Sequence, residues 1–125
     1  MTLNSILPEE LLARYIFDKS YYRSSDSTVR PNAFMPAPDN KTSVFQINSL
    51  KENKVWNIGQ EVASQRKKTL LGRADILAKQ VFDKKLGIES AKPPPHHANI
   101  IWPLEKSEQK MIAMELAALA KLHLL

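Results

Sequence analysis

Residues 8–19, PEELLARYIFDK, carry the signals of a helix start, and the arrangement of the whole chain is built outward from them. Pro8 suits the first helical position, where its missing N–H costs nothing. Glu9 and Glu10 favour the positive end of a helix dipole, and Leu12, Tyr15, Ile16 and Lys19 follow at helical spacing. The expectation is therefore a domain led by an amphipathic helix. After Tyr21-Tyr22 the stretch RSSDSTVRPNAFMPAPDNK is rich in hydroxyl side chains and proline, so it reads as a long structured loop with short extended pieces.

SVFQI, residues 43–47, is short, β-rich and bounded by turn residues, which predicts a strand. Ser49 and Glu52 have the spacing of a capping box, so a second helix is expected from about Leu50 to the basic run Arg66-Lys67-Lys68. Its apolar face would be Val55, Trp56, Gly59, Val62 and Ala63. A third helix is expected to carry Ala74, Leu77, Ala78, Val81 and Phe82, with Gly87 as its stop. GIES (87–90) and NIIW (99–102) read as strands. A last helix begins near Glu105 or Lys106, with Met111, Ile112, Glu115, Leu116, Leu119 and Leu122 on one face. The predicted fold is a single α+β domain over residues 1–125, about four helices packed on a small sheet of two to four short strands.

Length and composition fit that picture. The 125 residues suffice for one core, and 43% hydrophobic with 25% charged residues is the balance of a folded domain. The chain has no cysteine, which excludes disulfides, zinc–thiolate and iron–sulfur sites and thiol nucleophiles. MTLNSILPEELLARY has no basic n-region and no apolar h-region, and no run is apolar for the roughly 20 residues of a membrane span. A cytoplasmic protein without membrane contact is expected. The net charge of +5, concentrated in SQRKKTLLGR and FDKKLG, hints at polyanions. Lysines that complement helix ends and keep the surface solvated are the plainer explanation, because no aromatic platform interleaves with them.

Function has few handles. In AKPPPHHANIIWP (91–103), neighbouring histidines on a strand point to opposite faces, so His96 and His97 cannot share one metal. No H-E-x-x-H pattern exists, and no metal site or cofactor is expected. Alternation places His97, Asn99 and Ile101 on one face and Ala98, Ile100 and Trp102 on the apolar one, which makes His97 the histidine with a functional prospect. Pro93 to Pro95 would be an extended lead-in. A single imidazole needs only a partner and a pocket to act in acid–base chemistry. In the loop that holds Arg23, Asp26, Ser27, Thr28 and Arg30, an arginine fork can grip a carboxylate or phosphate, or an internal Asp–Arg pair can simply staple the loop. Arg73 and Asp75 repeat that pairing at an expected helix start, where free amides favour anions. No dinucleotide fingerprint, P-loop or nucleophile elbow is present.

Taken together, RSSDSTVRPNAFMP, SVFQI, LLGRADI, HANIIWP and the alanine-rich last helix resemble a family of small uncharacterised bacterial proteins. The residues that carry the resemblance include Asp26, Val29, Pro31, Ala33, Phe34, Pro36, Ser43, Val44, Gly72, Arg73, Asp75, His97, Asn99, Trp102 and Pro103. The resemblance implies a bacterial origin and one compact domain, and attaches no activity; such relatives are expected to have glycine where this chain has Ile101. The binding residues expected are Asp26, Arg30, Phe34, Ser43, Arg73, Asp75, His97, Asn99 and Trp102. Three functions compete. The first is a non-catalytic accessory protein docking a protein partner on stiff proline-rich segments. The second is a basic nucleic-acid-binding module. The third is a small enzyme whose pocket joins the 23–34 loop, Arg73/Asp75 and His97.

Overall fold

The computed structural model describes residues 6–103 and 105–125. Residues 1–5, part of the stretch expected to carry no leader signal, lie outside the described residues. Pro8 and Glu9 form a turn and not a first helical turn. The Glu10 carboxylate accepts the Leu7 N–H at 2.7 Å and the Gln46 amide at 3.0 Å, so it caps the turn and ties it to the sheet.

Leu11–Ile16 is then a strand, β1. The further elements are β2 (Tyr22–Arg23), β3 (Thr28–Val29), β4 (Lys41–Gln46), α1 (Glu52–Gln65), β5 (Gly72–Leu77), α2 (Ala78–Asp83), β6 (Gly87–Ser90), β7 (His97–Ile101), α3 (Lys106–Leu119) and β8 (Lys121–Leu124). Six strands form one antiparallel sheet in the order β6-β7-β4-β1-β5-β8, and β2 pairs with β3 in a separate hairpin. This corrects the expected four helices on two to four strands. Among the described residues there are three helices, and the fold is a sheet-rich α+β arrangement.

The physical reason is burial on both faces. Helix α1 covers one face, where Val55, Ile58, Val62 and Ala63 pack with Ala13, Tyr15 and Phe45. Helices α2 and α3 cover the other, where Val81, Ala113 and Leu116 pack with Leu12, Ile16, Val44, Ala74, Ile76 and Ile100. A strand covered on both sides loses the in–out alternation that identifies strands. LLARYI is therefore apolar or small at every position but Arg14, and GRADIL buries Arg73 and Asp75 as a pair in place of showing a solvent face, so both imitate a helix.

The other boundaries move for local reasons. Ser49 adopts φ 64°, and the Glu52 side chain bonds Arg73 and Trp56, so no capping box forms and α1 starts at Glu52. The expected third helix splits: Ala74 and Leu77 lie on β5, and only Ala78 to Asp83 turn helical. Lys85, at φ 61°, makes the turn that follows α2, and Gly87 opens β6. On α3 the inward residues are Ala113, Leu116 and Ala117, and Met111 and Leu119 are exposed. Leu122 belongs to β8. The triple proline is folded into a bend and turn and is not an extended lead-in.

Candidate functional site

Antiparallel pairing of β4 with β7 sets Ser43 opposite Asn99 and Phe45 opposite His97. All four side chains share the face that α1 covers, because Phe45 packs beneath that helix and residues two apart on a strand share a face. Helix α1 ends at Gln65, so the sheet surface around Ser43 and Asn99 is left open. A cleft of about 580 Å³ lies there. Its floor is Ser43, His97 and Asn99. One wall is Tyr21 with the 3₁₀ turn residue Asn32 and the Met35–Ala37 segment, and Arg14, Lys41 and Arg66 supply its cations against the single carboxylate of Asp39.

The histidine is held at both nitrogens. His97 Nδ1 lies 2.9 Å from the Ala91 carbonyl oxygen, which can only accept, so the neutral ring carries its proton on Nδ1. Nε2 is then an acceptor, and Ser43 Oγ donates to it at 2.8 Å. The Phe45 ring lies 5.1 Å from the imidazole at 44° and supports it from below. The proline turn thus has a definite effect: it returns the chain so that Ala91 presents its carbonyl to the ring, while Ala91 N–H donates to His97 O at 2.9 Å.

Arg14 enters from β1. Only Leu12 and Ala13 pair with β4, and beyond them the two strands separate. The Arg14 guanidinium fills the gap, donating to Ala33 O at 2.7 Å and to Ser43 O at 2.9 Å. Burial holds its pKa below the usual arginine range; Tyr21 opposes that shift and the charge of Arg66 adds to it. Its partners are carbonyls, so its charge meets no carboxylate. Arg66 stands 3.5 Å from Ser43 Oγ and 5.8 Å from the Phe17 ring centroid, also with no carboxylate partner among the described residues. Lys41 is neutralised by Glu89 at 2.9 Å, and Asn99 donates weakly to the same carboxylate at 3.4 Å.

The expected pocket is therefore assembled in part. Ser43, His97 and Asn99 meet, with Asn32 from the loop. Arg73 and Asp75 do not join them. They lie mid-strand on β5, across β1 from the cleft, and not at a helix start, so no free helix amides accompany them. Arg73, only 3% exposed, donates to Asp75 and, through two nitrogens at 3.0 Å each, to Glu52, while stacking 4.6 Å above the Trp56 ring. Burial raises the Asp75 pKa against the pull of Arg73, and His123 on β8 reaches its carboxylate at 3.4 Å. This cluster ties α1, β5 and β8 together.

The remaining expected residues are structural in position. Asp26 accepts from Thr28 Oγ1 at 2.6 Å and pairs with Arg23 at 3.5 Å, stapling the β2–β3 hairpin. Arg30 is exposed and donates to Tyr22 O at 3.3 Å. Phe34 is fully buried. Trp102 is buried and donates to Thr42 Oγ1 at 2.8 Å, which in turn donates to Phe34 O at 2.8 Å. Sequence reasoning missed Arg14, Tyr21, Arg66 and the Ala91 carbonyl. Arg14 was detectable: a lone arginine inside LLARYI stands out once that stretch is a buried strand.

Among the described residues no group of three or more histidines and acids is placed to hold a metal ion, and no helix is long and apolar enough to cross a membrane. No family model, no curated protein and no solved structure matches the chain. The likeness to small bacterial proteins stays an expectation, and the cleft is read on its own chemistry.

Proposed function

We propose that this is a binding protein whose β4–β7 cleft takes a small anionic ligand, a carboxylate or phosphate compound of metabolite size. The observation that carries the proposal is the pair Arg14 and Arg66, which line the cleft without a carboxylate partner. The Arg14 guanidinium, bonded to carbonyls and largely removed from solvent, attracts an anion more strongly than it would in water. The exposed Arg66, bonded to the Ser43 hydroxyl, adds a second cation. Ser43, Asn32 and Asn99 add uncharged hydrogen-bonding groups that fix orientation. A cleft of about 580 Å³ falls within the range of small-molecule sites. A neighbouring depression between Met35–Ala37 and α3 adds two further cations, Lys106 and Lys110.

The test is calorimetry and thermal shift with inorganic phosphate and citrate. Saturable heat and a rise in melting temperature are expected for the wild type, both reduced at least tenfold in affinity by Arg66→Ala. If neither anion binds the wild type at low salt, the proposal fails.

A second reading, docking of a protein partner, has one observation in its favour. Met111 and Met114 on the outer side of α3 are 64% and 59% exposed, and methionine adapts well to varied partner surfaces. Under this reading Met111→Lys with Met114→Lys abolishes co-purification of a specific partner from the native host while anion binding at the cleft persists.

A further inference from the structure

The floor of the cleft carries a chain of two hydrogen bonds. Ser43 Oγ donates to His97 Nε2 at 2.8 Å, and His97 Nδ1 donates to the Ala91 carbonyl at 2.9 Å. A hydroxyl on an imidazole, with the imidazole oriented through its other nitrogen by a fixed acceptor, is the arrangement that makes serine a nucleophile. The acceptor here is a backbone carbonyl in place of a carboxylate. It fixes the tautomer and the ring plane and brings no negative charge of its own. Two rigid supports hold the geometry: both reacting groups stand on paired strands, and Phe45 packs against the ring at 5.1 Å. Arg66 Nη2 stands 3.5 Å from Ser43 Oγ, close enough for a carbonyl oxygen bound at that hydroxyl to come within its reach. The serine lines an open cleft, so a substrate can reach it.

We propose that Ser43 and His97 form a catalytic dyad that hydrolyses a carboxylic ester whose acyl portion carries a negative charge. The inference rests on the anionic-ligand reading of the same cleft, which supplies the charge preference through Arg14 and Arg66. In the first step Ser43 Oγ bonds to the ester carbonyl carbon, its proton passes to His97 Nε2, and the carbonyl electron pair moves to oxygen beside Arg66. Collapse of that intermediate breaks the bond to the leaving oxygen, which departs as an alcohol with the proton from His97. Water then attacks the acyl-serine while His97 takes its proton. The acid is released as Ser43 Oγ recovers a proton from His97. Ester and water are consumed, and acid and alcohol are formed, with no change of oxidation state.

Three measurements test this on the full chain. An alkyl phosphonofluoridate should label the wild type once, on the peptide holding Ser43, with loss of fluoride. Ser43→Ala should remain unlabelled, and His97→Gln should label at least a hundredfold more slowly. Mono-4-nitrophenyl succinate should be cleaved at least tenfold faster than the neutral butyrate ester, and Ser43→Ala should abolish the difference. The chain has no cysteine, so Ser43→Cys introduces a unique thiol. Its alkylation by iodoacetamide should be at least tenfold faster than in Ser43→Cys combined with His97→Gln, because His97 promotes the thiolate. An unlabelled Ser43, with equal alkylation of the two cysteine variants, overturns the dyad. If phosphate still binds in that case, the anion site survives; if phosphate also fails to bind, both readings fall.

Discussion

Arg14 takes the place of ladder hydrogen bonds that β1 and β4 do not make beyond Ala13, donating to Ala33 O and Ser43 O. Removing the guanidinium takes a charged donor away from both oxygens. Arg14→Met, which keeps the apolar stem, should cost about 2–3 kcal/mol in urea unfolding, the range for hydrogen bonds to charged groups. It should also weaken phosphate binding, and a variant as stable as the wild type would remove Arg14 from the account. Tyr15 gives a pH dependence. Its hydroxyl donates to Val55 O at 2.5 Å under α1, and burial pushes its pKa above the usual tyrosine value. The unfolded chain therefore releases this proton first, near the ordinary tyrosine pKa of about 10. Stability from this group is complete below that pH and is lost as pH rises toward the folded value. Melting temperature followed from pH 8 to 11 should fall more steeply in the wild type than in Tyr15→Phe; parallel curves would contradict the assignment.

At the scale of elements, helix and sheet come close together at Gly59, where an added Cβ would stand 2.6 Å and 2.8 Å from the Tyr15 ring. Gly59→Ala should destabilise by about 1–3 kcal/mol through overpacking, despite the better helix propensity of alanine. A stabilised variant in chemical denaturation would mean that α1 sits farther from β1. The same close packing explains what the sequence discloses and what it hides. β4 and β7 were legible, since β-branched and aromatic residues lie between turn residues. β6 was legible as well, and the inward and outward faces of β7 followed from alternation. β1 and β5 were not: LLARYI and GRADIL are buried on both sides, and their alanines and leucines are also good helix formers. Misplacing those two strands hid a third of the sheet, and with it Arg14. Ser43, His97 and Asn99 could be nominated because they lie on the legible strands. Their convergence with Arg66 depends on the length of α1, and the orientation of His97 on a turn that reverses at Ala91, neither of which a local pattern encodes.

Across the whole molecule, the apolar core and the exposed basic run can be tested separately. Ile100 is fully buried between β7 and the α2–α3 layer, and Ile100→Ala should cost about 2–5 kcal/mol with little change in phosphate affinity. Loss of binding without loss of stability would place that residue in the site instead. The basic run that follows α1 is exposed at Lys67 and Lys68, and reversing both to glutamate should alter stability by less than about 0.5 kcal/mol. Low-salt binding to single- and double-stranded nucleic acid, compared between wild type and that variant, tests the expectation of a nucleic-acid partner. No retention of either polymer by the wild type would end it. The strand order also governs how the protein comes into being. β1 lies near the middle of the sheet but is made before both of its neighbours: Ala13 pairs with Phe45, and Ile16 with Gly72. During synthesis at roughly 5–20 residues per second, β1 waits on the order of several seconds before β5 exists to cover its second edge. For that interval the growing chain carries an apolar strand with an unpaired edge, the kind of surface that makes a partly made protein prone to aggregate.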